Sequence, residues 1–335
     1  MYSTPVSNLA LTLACWSYDR TRALFDGRVR PDGIDLTCLD LPVEETFFRM
    51  LRHHEFDVAE MSLSSYVVSL FADDPPFVAI PVFPSRFFRH SCIYVHAGAG
   101  IARPEDLAGR TVGTPEYQMT APVWIRGILS DEHGVAVESV TYATGGLEEP
   151  GRPEKLTLEL PAGIRVNRIP PDRTLSAMLA AGEIDALYTA RAPSSFRNGD
   201  GRVRRLFEDF PAVERDYFRR TRIFPIMHTI VIRRHVYQRH RWIAQSLAKA
   251  FTAAQRHAYE DLGQTAALKT MLPWLPAHVE EARREMGDDF WPYGLAPNAA
   301  TLATFLRYSY EQGLSRRRLA PDELFAPETL ESFRI

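Results

Sequence analysis

Two stretches carry the pattern that decides the fold, Glu55-Phe-Asp-Val-Ala-Glu-Met-Ser62 and Ala181-Gly-Glu-Ile-Asp-Ala-Leu-Tyr-Thr189. Each follows a predicted helix and a turn. The turn is followed by Glu, an apolar residue and Asp, and then by a short apolar strand that ends in a small hydroxyl residue. Helix–turn–strand units are common in α/β proteins, so one copy alone says little. Their matching positions in two halves of the chain predict an internal repeat and two related α/β lobes.

Strands and helices alternate around the first stretch. Residues 43–56 are predicted to be a helix because Phe47 and Met50 recur near helical spacing, and Ser64 is the predicted cap of a helix over 65–72. The predicted strands of this set are 9–16, 34–41, 58–62, 77–83 and 91–96. Strands separated by helices indicate a parallel α/β sheet.

A second α/β set surrounds the other stretch. It has predicted helices over 104–107, 119–133 and 174–182 and predicted strands over 110–114, 164–169 and 184–189. Segments 145–155 and 193–204 are predicted to be loops, since 145–155 is rich in Gly, Pro and charge.

The chain then returns to the first set. A strand is predicted over 228–233, followed by helices over 235–262, 277–286 and 298–312, which we expect to pack on the first sheet. We therefore predict a discontinuous first lobe, residues 1–97 plus 228–335, and a second lobe, residues 98–227, with a hinge and a cleft between them.

Composition excludes several classes of protein. The 335 residues carry 39 Lys+Arg against 42 Asp+Glu, a net charge of -3, which argues against a nucleic-acid binder. No run approaches the ~18 apolar residues of a membrane span. Three cysteines without CxxC spacing, and no basic residue before Arg20 to begin a secretion signal, predict a cytoplasmic location. Only three lysines occur, Lys155, Lys249 and Lys269, and none stands beside a site motif, which argues against Schiff-base chemistry.

Polar and arginine-bearing segments follow the predicted strands, where ligands bind in open α/β sheets. A guanidinium offers a planar fork to a carboxylate, so these segments predict a site for an anion. The alternative for each arginine is a surface residue with no role in binding. The candidate binding residues are Arg20, Ser62, Ser64, Arg86, Arg89, Tyr117 and Arg191.

Three residues are candidates for proton transfer. Glu116 stands just before a helix, His90 follows the fourth strand, and His228 opens the strand that re-enters the first lobe near the hinge. His228 fits a structural role, held by hydrogen bonds, as well as it fits proton transfer. GxSxG, HExxH, Walker and complete GxGxxG motifs are absent, and no cofactor or metal site is predicted.

Several longer motifs resemble one family, the 4,5-dihydroxyphthalate decarboxylases. They are Tyr18-Asp-Arg-Thr21, Asp26-Gly-Arg-Val29 with Gly33-Ile-Asp-Leu36, Phe56-Asp-Val-Ala-Glu-Met-Ser-Leu-Ser-Ser-Tyr66, Phe83-Pro-Ser-Arg86 with Arg89-His-Ser91, Pro115-Glu-Tyr-Gln-Met-Thr120, Thr144-Gly-Gly-Leu147, Phe224-Pro-Ile-Met-His-Thr229 and Gly287-Asp-Asp-Phe-Trp-Pro-Tyr-Gly294. The resemblance extends over nearly the whole chain, and it implies a two-lobed fold like that of type II periplasmic binding proteins, with a helical C-terminal region.

The resemblance also implies a reaction, the cofactor-independent conversion of 4,5-dihydroxyphthalate to protocatechuate (3,4-dihydroxybenzoate) and CO2. On this hypothesis Arg86 and Arg191 bind carboxylates, and Ser62, Ser64 and Tyr117 orient the ring. Glu116, His90 or His228 delivers a proton to the ring carbon.

The alternative is a non-catalytic binding protein for a small aromatic or carboxylic acid, because relatives of this fold are mostly solute-binding proteins. The expected partner in either case is a small aromatic carboxylate, without nucleic acid or membrane. The hydroxyphthalate isomer, assistance by a divalent metal, homo-oligomerisation and the extent of lobe closure stay open.

Overall fold

Two mixed β-sheets organise the protein. A computed structural model describes residues 7–330. Within these residues the strands are β1 (Leu9–Ala14), β2 (Ile34–Leu39), β3 (Val58–Ser62), β4 (Phe77–Arg86), β5 (Ile93–His96), β6 (Thr111–Thr114), β7 (Thr141–Thr144), β8 (Arg165–Arg168), β9 (Ala186–Tyr188), β10 (Val203–Arg205) and β11 (Ile226–Arg233).

Helices connect these strands and form the C-terminal region. They are α1 (Arg22–Phe25), α2 (Val43–His53), α3 (Leu63–Ser69), α4 (Thr120–His133), α5 (Leu175–Ala181), α6 (Ser194–Arg197), α7 (Phe210–Thr221), α8 (Arg234–Arg239), α9 (Ile243–Leu262), α10 (Leu275–Met286) and α11 (Ala299–Glu311). None of the helices in the described part of the chain has both the length and the apolar character needed to cross a membrane.

The first sheet has the strand order β2-β1-β3-β11-β4. Strands β1, β2 and β3 run parallel, whereas β11 runs antiparallel to both β3 and β4. Strand β3 lies at the centre and all five of its residues are buried. Because β11 is antiparallel, its first residues lie beside the carboxyl end of β3, and His228 pairs with Ser62.

The second sheet has the order β10-β5-β9-β6-β7-β8. Strands β9, β6, β7 and β8 run parallel, and β5 and β10 complete the sheet in antiparallel pairing. The chain passes from the first sheet to the second between Arg86 and Ile93, and it returns between Arg205 and Ile226. These two crossings lie beside each other, because the Phe87 amide donates to the Pro225 carbonyl.

Most predicted elements are confirmed, with changes at their ends. Helix α2 ends at His53 because His54 adopts a left-handed conformation, with φ of 48°. The prediction that Ser64 caps the third helix is wrong. Ser62 is the cap, since its hydroxyl accepts from the Ser65 amide and the helix begins one residue later, at Leu63.

Other elements differ from prediction. Strand β7 and helix α7 were not predicted, and the predicted loop 193–204 contains α6 and the start of β10. The predicted helix 235–262 is two helices, α8 and α9, separated at residues 240–242. Segment 145–155 is a loop, as predicted.

Helix α11 packs on α4, which follows the second sheet's strand β6, rather than on the first sheet alone. Gly127 of α4 makes this close packing feasible, because an added Cβ would lie 2.1 Å from the Tyr308 ring. Trp124 lies against Phe305 and Tyr308 and donates its indole N–H to the Ile226 carbonyl. The division into two lobes remains a proposal. The first crossing between the sheets lies at residues 87–92, before the predicted boundary at residue 97, and α11 contacts both halves.

Candidate active site

A cleft opens where the carboxyl ends of parallel strands from both sheets face each other. It has an inner chamber of about 290 Å³ and an outer chamber of about 1040 Å³. The two share wall residues, among them Glu116, Arg152, Lys155 and Arg191, so they form one continuous space. The apolar wall of the inner chamber consists of Trp16, Val43, Phe47, Met119, Met227 and neighbouring side chains.

Glu60 and His228 form a buried pair beneath the inner chamber. Glu60 lies in the middle of β3 and is 0% exposed, and β11 passes next to it. The His228 Nδ1 lies 2.6 Å from Glu60 Oε1. An ionised carboxylate can only accept, so Nδ1 carries the hydrogen and donates it. The other ring nitrogen, Nε2, is thereby left for the chamber, which His228 lines.

Further donors complete the surroundings of Glu60. The Tyr18 hydroxyl donates to Oε1 over 2.7 Å and the Trp16 amide donates to Oε2 over 3.1 Å. Burial alone would raise the pKa of Glu60, but the hydrogen bond and charge of His228, followed by Tyr18 and Trp16, lower it. Burial and Glu60 raise the pKa of Tyr18, so its phenol keeps its proton. Glu60 is therefore a carboxylate held ionised inside the protein.

Packing fixes the orientation of the His228 ring. The Phe47 ring of α2 meets it edge-on, with centroids 4.8 Å apart and planes at 80°. Within residues 7–330 its only side-chain hydrogen-bond partner is Glu60. A carboxylate-anchored imidazole that lines a cavity can transfer a proton to or from a ligand.

Arg89 supplies positive charge to the inner chamber. It lies on the crossing between the sheets and is only 7% exposed. Its Nε donates to the Met227 sulfur over 3.1 Å and its Nη1 donates to the Cys92 sulfur over 3.6 Å. Sulfur is a weak acceptor, and no carboxylate in the described part of the chain pairs with this guanidinium. A buried cation without a carboxylate at ion-pair distance is costly, so the site favours an anionic ligand.

Glu116 is the centre of an ion cluster at the junction of the two chambers. Its Oε1 accepts from Arg152 Nε and Nη2, at 3.0 and 2.7 Å, and from Lys155 Nζ. Its Oε2 accepts from the Gln118 side chain over 2.9 Å. Burial would raise the pKa of Glu116, but the charges of Lys155 and Arg152 lower it. Glu116 is therefore an ionised residue with its acceptor sites occupied.

Hydroxyl groups connect the two sheets at the chamber wall. The Ser62 and Thr120 hydroxyls lie 2.8 Å apart, and Thr120 Oγ1 also accepts from the Ser64 amide. The Ser65 hydroxyl donates to Gln118 Oε1 over 2.8 Å. Ser62, Ser65 and Thr120 all line the inner chamber, so this network presents hydroxyls to a ligand.

Comparison with known proteins identifies the family. No protein-family model matches the chain. A curated 4,5-dihydroxyphthalate decarboxylase from Comamonas testosteroni is 45% identical over 330 residues, covering 98% of this chain and 100% of the relative. The chain belongs to the 4,5-dihydroxyphthalate decarboxylase family. A second decarboxylase of this name, from Pseudomonas putida, is 45% identical over 214 residues, covering 64% of this chain and 83% of its own. The family predicted from the sequence motifs is confirmed.

Solved structures identify the fold. The periplasmic aliphatic sulphonate binding protein SsuA from Escherichia coli matches with a TM-score of 0.53 at 16% identity, covering 97% of this chain and 99% of its own. A periplasmic sulfonate-binding protein SsuA from Methylobacillus flagellatus matches with a TM-score of 0.55 at 12% identity, covering 97% and 93%. The predicted periplasmic-binding-protein fold is therefore confirmed for this decarboxylase-family chain.

The structure brings together five of the ten candidate site residues. These line the inner chamber and are Ser62, Arg89, Glu116, Arg191 and His228. Arg191 also lines the outer chamber, is 64% exposed, and lies 3.7 Å from Glu44. It is therefore free to move toward a ligand at the entrance.

Two candidate residues are held by backbone elsewhere. The Arg86 guanidinium donates to the carbonyls of Phe224 and Pro292, at 3.1 and 2.7 Å, and to the side-chain oxygen of Asn298. Arg20 donates to the Pro84 carbonyl and stacks between aromatic rings of Tyr18 and Trp291. Neither arginine lines the chambers, and these contacts hold both guanidinium groups against backbone carbonyls.

Three further candidates are buried outside the chamber. His90 packs between Phe207 and Tyr217, and burial lowers its pKa to about 4. The Tyr117 hydroxyl donates to the Gln312 carbonyl, and its ring lies under Arg126. Ser64 is fully buried, and only its amide bonds to the Thr120 hydroxyl that lines the chamber.

Sequence reasoning missed several residues of the site. Glu60 had a visible signal, because a carboxylate between the apolar residues of a buried strand must find buried partners. Arg152 and Lys155 gave none, since they stand in an irregular loop. Lys155 does not stand beside a site motif in the sequence, but segment 145–155 folds back and places it against Glu116. No three His, Cys, Asp or Glu side chains between residues 7 and 330 are grouped as metal ligands.

Proposed function

We propose that this protein decarboxylates 4,5-dihydroxyphthalate to 3,4-dihydroxybenzoate and CO2. The observation that carries the proposal is the placement of Arg89 and His228 in one chamber, the former a buried cation without a carboxylate partner and the latter an imidazole anchored by Glu60. The names of the relatives supply the substrate. A chamber of about 290 Å³ suits one aromatic ring, being at the lower end of small-molecule pockets.

The substrate's own electrons make the reaction feasible. In 4,5-dihydroxyphthalate each carboxylate has a ring hydroxyl para to it. As that hydroxyl loses its proton, electron density moves to the carbon bearing the carboxylate, and that carbon takes up a proton to give a dienone. The carbon–carbon bond to the carboxylate then breaks, CO2 leaves, and the electron pair restores the aromatic ring as a phenolate, which regains from solvent the proton that its hydroxyl gave up. The net reaction consumes one proton.

His228 is the proposed proton donor. Its Nδ1–H is directed to Glu60, so the opposite nitrogen carries the proton that the ring carbon receives. The Glu60 carboxylate stabilises the charged imidazole before the transfer. Glu116 is a poorer candidate because it is ionised and its oxygens already accept from Arg152, Lys155 and Gln118. His90 lies outside the chamber.

Arg89 is the proposed anchor for one substrate carboxylate. Its guanidinium is already desolvated, so a carboxylate that displaces the weak sulfur contacts gains charge-assisted hydrogen bonds. The rings of Trp16 and Phe47 then form the wall against which the substrate ring packs. Ser62 is placed to orient a ring hydroxyl.

We also propose a cytoplasmic location. The cysteines Cys15, Cys38 and Cys92 are all free thiols, in keeping with a reducing compartment.

The experiment is to incubate chelator-treated protein with 4,5-dihydroxyphthalate and to measure CO2 and 3,4-dihydroxybenzoate together. The proposal expects equal amounts of both without added metal. Turnover that requires a divalent ion would replace this mechanism with a metal-assisted one. Absence of CO2 with and without metal, together with a rise in melting temperature on adding the ligand, would favour the non-catalytic binding protein.

A further inference from the structure

Segment 145–155 is a loop held in place at several points. The amides of Leu175 and Ser176 donate to the Gly146 and Leu147 carbonyls. Near its other end, Glu154 Oε1 accepts from the Tyr117 amide over 2.5 Å. Side chains on a loop anchored in this way are positioned before a ligand arrives, which reduces the entropy cost of binding.

Two cations of this loop share one carboxylate oxygen. Arg152 and Lys155 both donate to Glu116 Oε1, and Arg152 Nη1 lies 3.6 Å from Glu44. Arg191, at 3.7 Å, also faces Glu44. Three cations thus meet two carboxylates. Glu154 adds less than a full negative charge near neutral pH, because burial raises its pKa to about 7, so these six groups together carry a net charge between zero and plus one.

The cluster also has unused donors toward the cavity. Lys155 is largely buried. In the part of the chain that the structure describes, its three ammonium hydrogens have one hydrogen-bond partner, Glu116. Arg152 and Lys155 line both chambers, whereas Arg89 lines the inner one only. The cleft therefore offers two separate cationic groups, one on the crossing between the sheets and one on the loop.

We propose that Arg152 and Lys155 form a second carboxylate subsite that makes the cleft selective for aromatic dicarboxylates over monocarboxylates. The subsite rests on the proposed function only in taking an aromatic acid as the ligand. One carboxylate of the ligand binds Arg89, and the other takes the free donors of Arg152 and Lys155. A monocarboxylate such as the decarboxylation product occupies only one of the two groups, so it binds more weakly and is released.

The test compares two unreactive probes, phthalate and benzoate, by calorimetric titration. The parent protein is expected to bind phthalate about tenfold or more tightly than benzoate. Lys155→Met and Arg152→Met should each weaken phthalate binding by about tenfold and leave benzoate within about twofold, so that the preference disappears. Equal binding of both probes by the parent, or equal weakening of both by the variants, would overturn the subsite.

Two controls separate this effect from general changes of charge or fold. Arg197→Met removes an exposed cation from the outer chamber only, and it should leave the preference unchanged. Lys155→Arg keeps the charge and should retain the preference. If Lys155→Met unfolds, Arg152→Met still tests the subsite, because Lys155 remains as a partner of Glu116 in that variant. If the Met variants lose the preference but the parent releases no CO2, the decarboxylase is refuted and the subsite is retained. If the parent releases CO2 but the Met variants keep the preference, the subsite is refuted and the decarboxylase is retained.

Discussion

The imidazole Nδ1 of His228 lies 2.6 Å from the carboxylate oxygen Oε1 of Glu60, at a point where two antiparallel strands meet. Glu60 is 0% exposed and accepts hydrogen bonds from donors on two further positions, Trp16 and Tyr18. The carboxylate therefore fixes which nitrogen of His228 faces the chamber. The relationship sets the orientation of the group that we propose as the proton donor.

Replacing Glu60 by Gln tests this positioning role. Both oxygens of Glu60 accept from donors, so the amide of Gln must either oppose the Trp16 N–H or turn its own N–H to His228 Nδ1 and force that imidazole into the other tautomer. We expect turnover to fall about 10²-fold, because the imidazole is no longer held in its orientation, while phthalate affinity changes by less than about threefold. Turnover rates, with phthalate titration as the binding control, would check it.

A purely structural role for Glu60 gives a different result. In that case Glu60→Gln would lower the melting temperature and weaken phthalate binding by about the same factor as turnover. Tyr18→Phe is the matched control, because it removes one donor to Glu60 and keeps the carboxylate. It should cost turnover much less than Glu60→Gln.

Replacing Arg89 by Met should weaken ligand binding strongly without harming the fold. The guanidinium bonds only to sulfur atoms within the described chain, and it is buried without a carboxylate. We expect the dissociation constants of phthalate and of benzoate to rise about 10²-fold, while the melting temperature stays equal or increases. Calorimetric titration and thermal unfolding measure the two effects. Unchanged affinity for both ligands would remove Arg89 from the site.

Replacing Arg86 by Met should have the opposite profile. Arg86 donates to the Phe224 and Pro292 carbonyls and to Asn298, so its loss leaves buried acceptors unpaired. We expect the free energy of unfolding to fall by about 3 kcal/mol, with phthalate affinity of the folded protein changed by less than about threefold. Urea unfolding measures the loss. A stable variant that no longer binds phthalate would mean that Arg86 belongs to the ligand site.

Much of the fold could be predicted from local patterns in the sequence. Strand β3 and helix α2 have clear apolar periodicity, and both were predicted near their observed bounds. Strand β7, Thr-Tyr-Ala-Thr, has too short a pattern to be recognised, although it pairs on both sides in the sheet. The packing of α11 on α4 was not predictable either, because it depends on the space that Gly127 leaves for Tyr308.

The site was predictable only in part, because strand ends specify a location and not the direction of a side chain. Arg86 and Arg89 are three residues apart, yet the first bonds to carbonyls across the crossing and the second faces the chamber. Lys155 reaches the cleft through a loop without regular structure, so no periodicity marks it. Glu60 was detectable in principle, since a buried carboxylate requires partners from elsewhere in the fold.

Replacing His90 by Phe should change how stability depends on pH. Burial lowers the pKa of His90 from its ordinary 6.5 to about 4, so between these values the unfolded chain binds a proton that the folded chain does not. The parent therefore loses stability as pH falls through this window and keeps all of it above pH 6.5. Phe fits between Phe207 and Tyr217 and does not titrate.

The expected difference is measurable by urea unfolding at several pH values. The free energy of unfolding of His90→Phe, relative to the parent, should increase by about 3 kcal/mol between pH 7 and pH 4. A difference that stays constant with pH would mean that His90 is protonated equally in both states. Turnover near neutral pH should not change, because the residue lies outside the chamber.

The most direct test of the account is CO2 release from 4,5-dihydroxyphthalate by the parent and by His228→Asn. Asn can still donate to Glu60, so the chamber is expected to keep its shape. The account predicts steady CO2 release by the parent and a loss of about 10²–10⁴-fold in the variant, with phthalate affinity within a few-fold. Near-normal CO2 release by His228→Asn would contradict the assignment of His228 as the proton donor, and no release by the parent would contradict the decarboxylase itself.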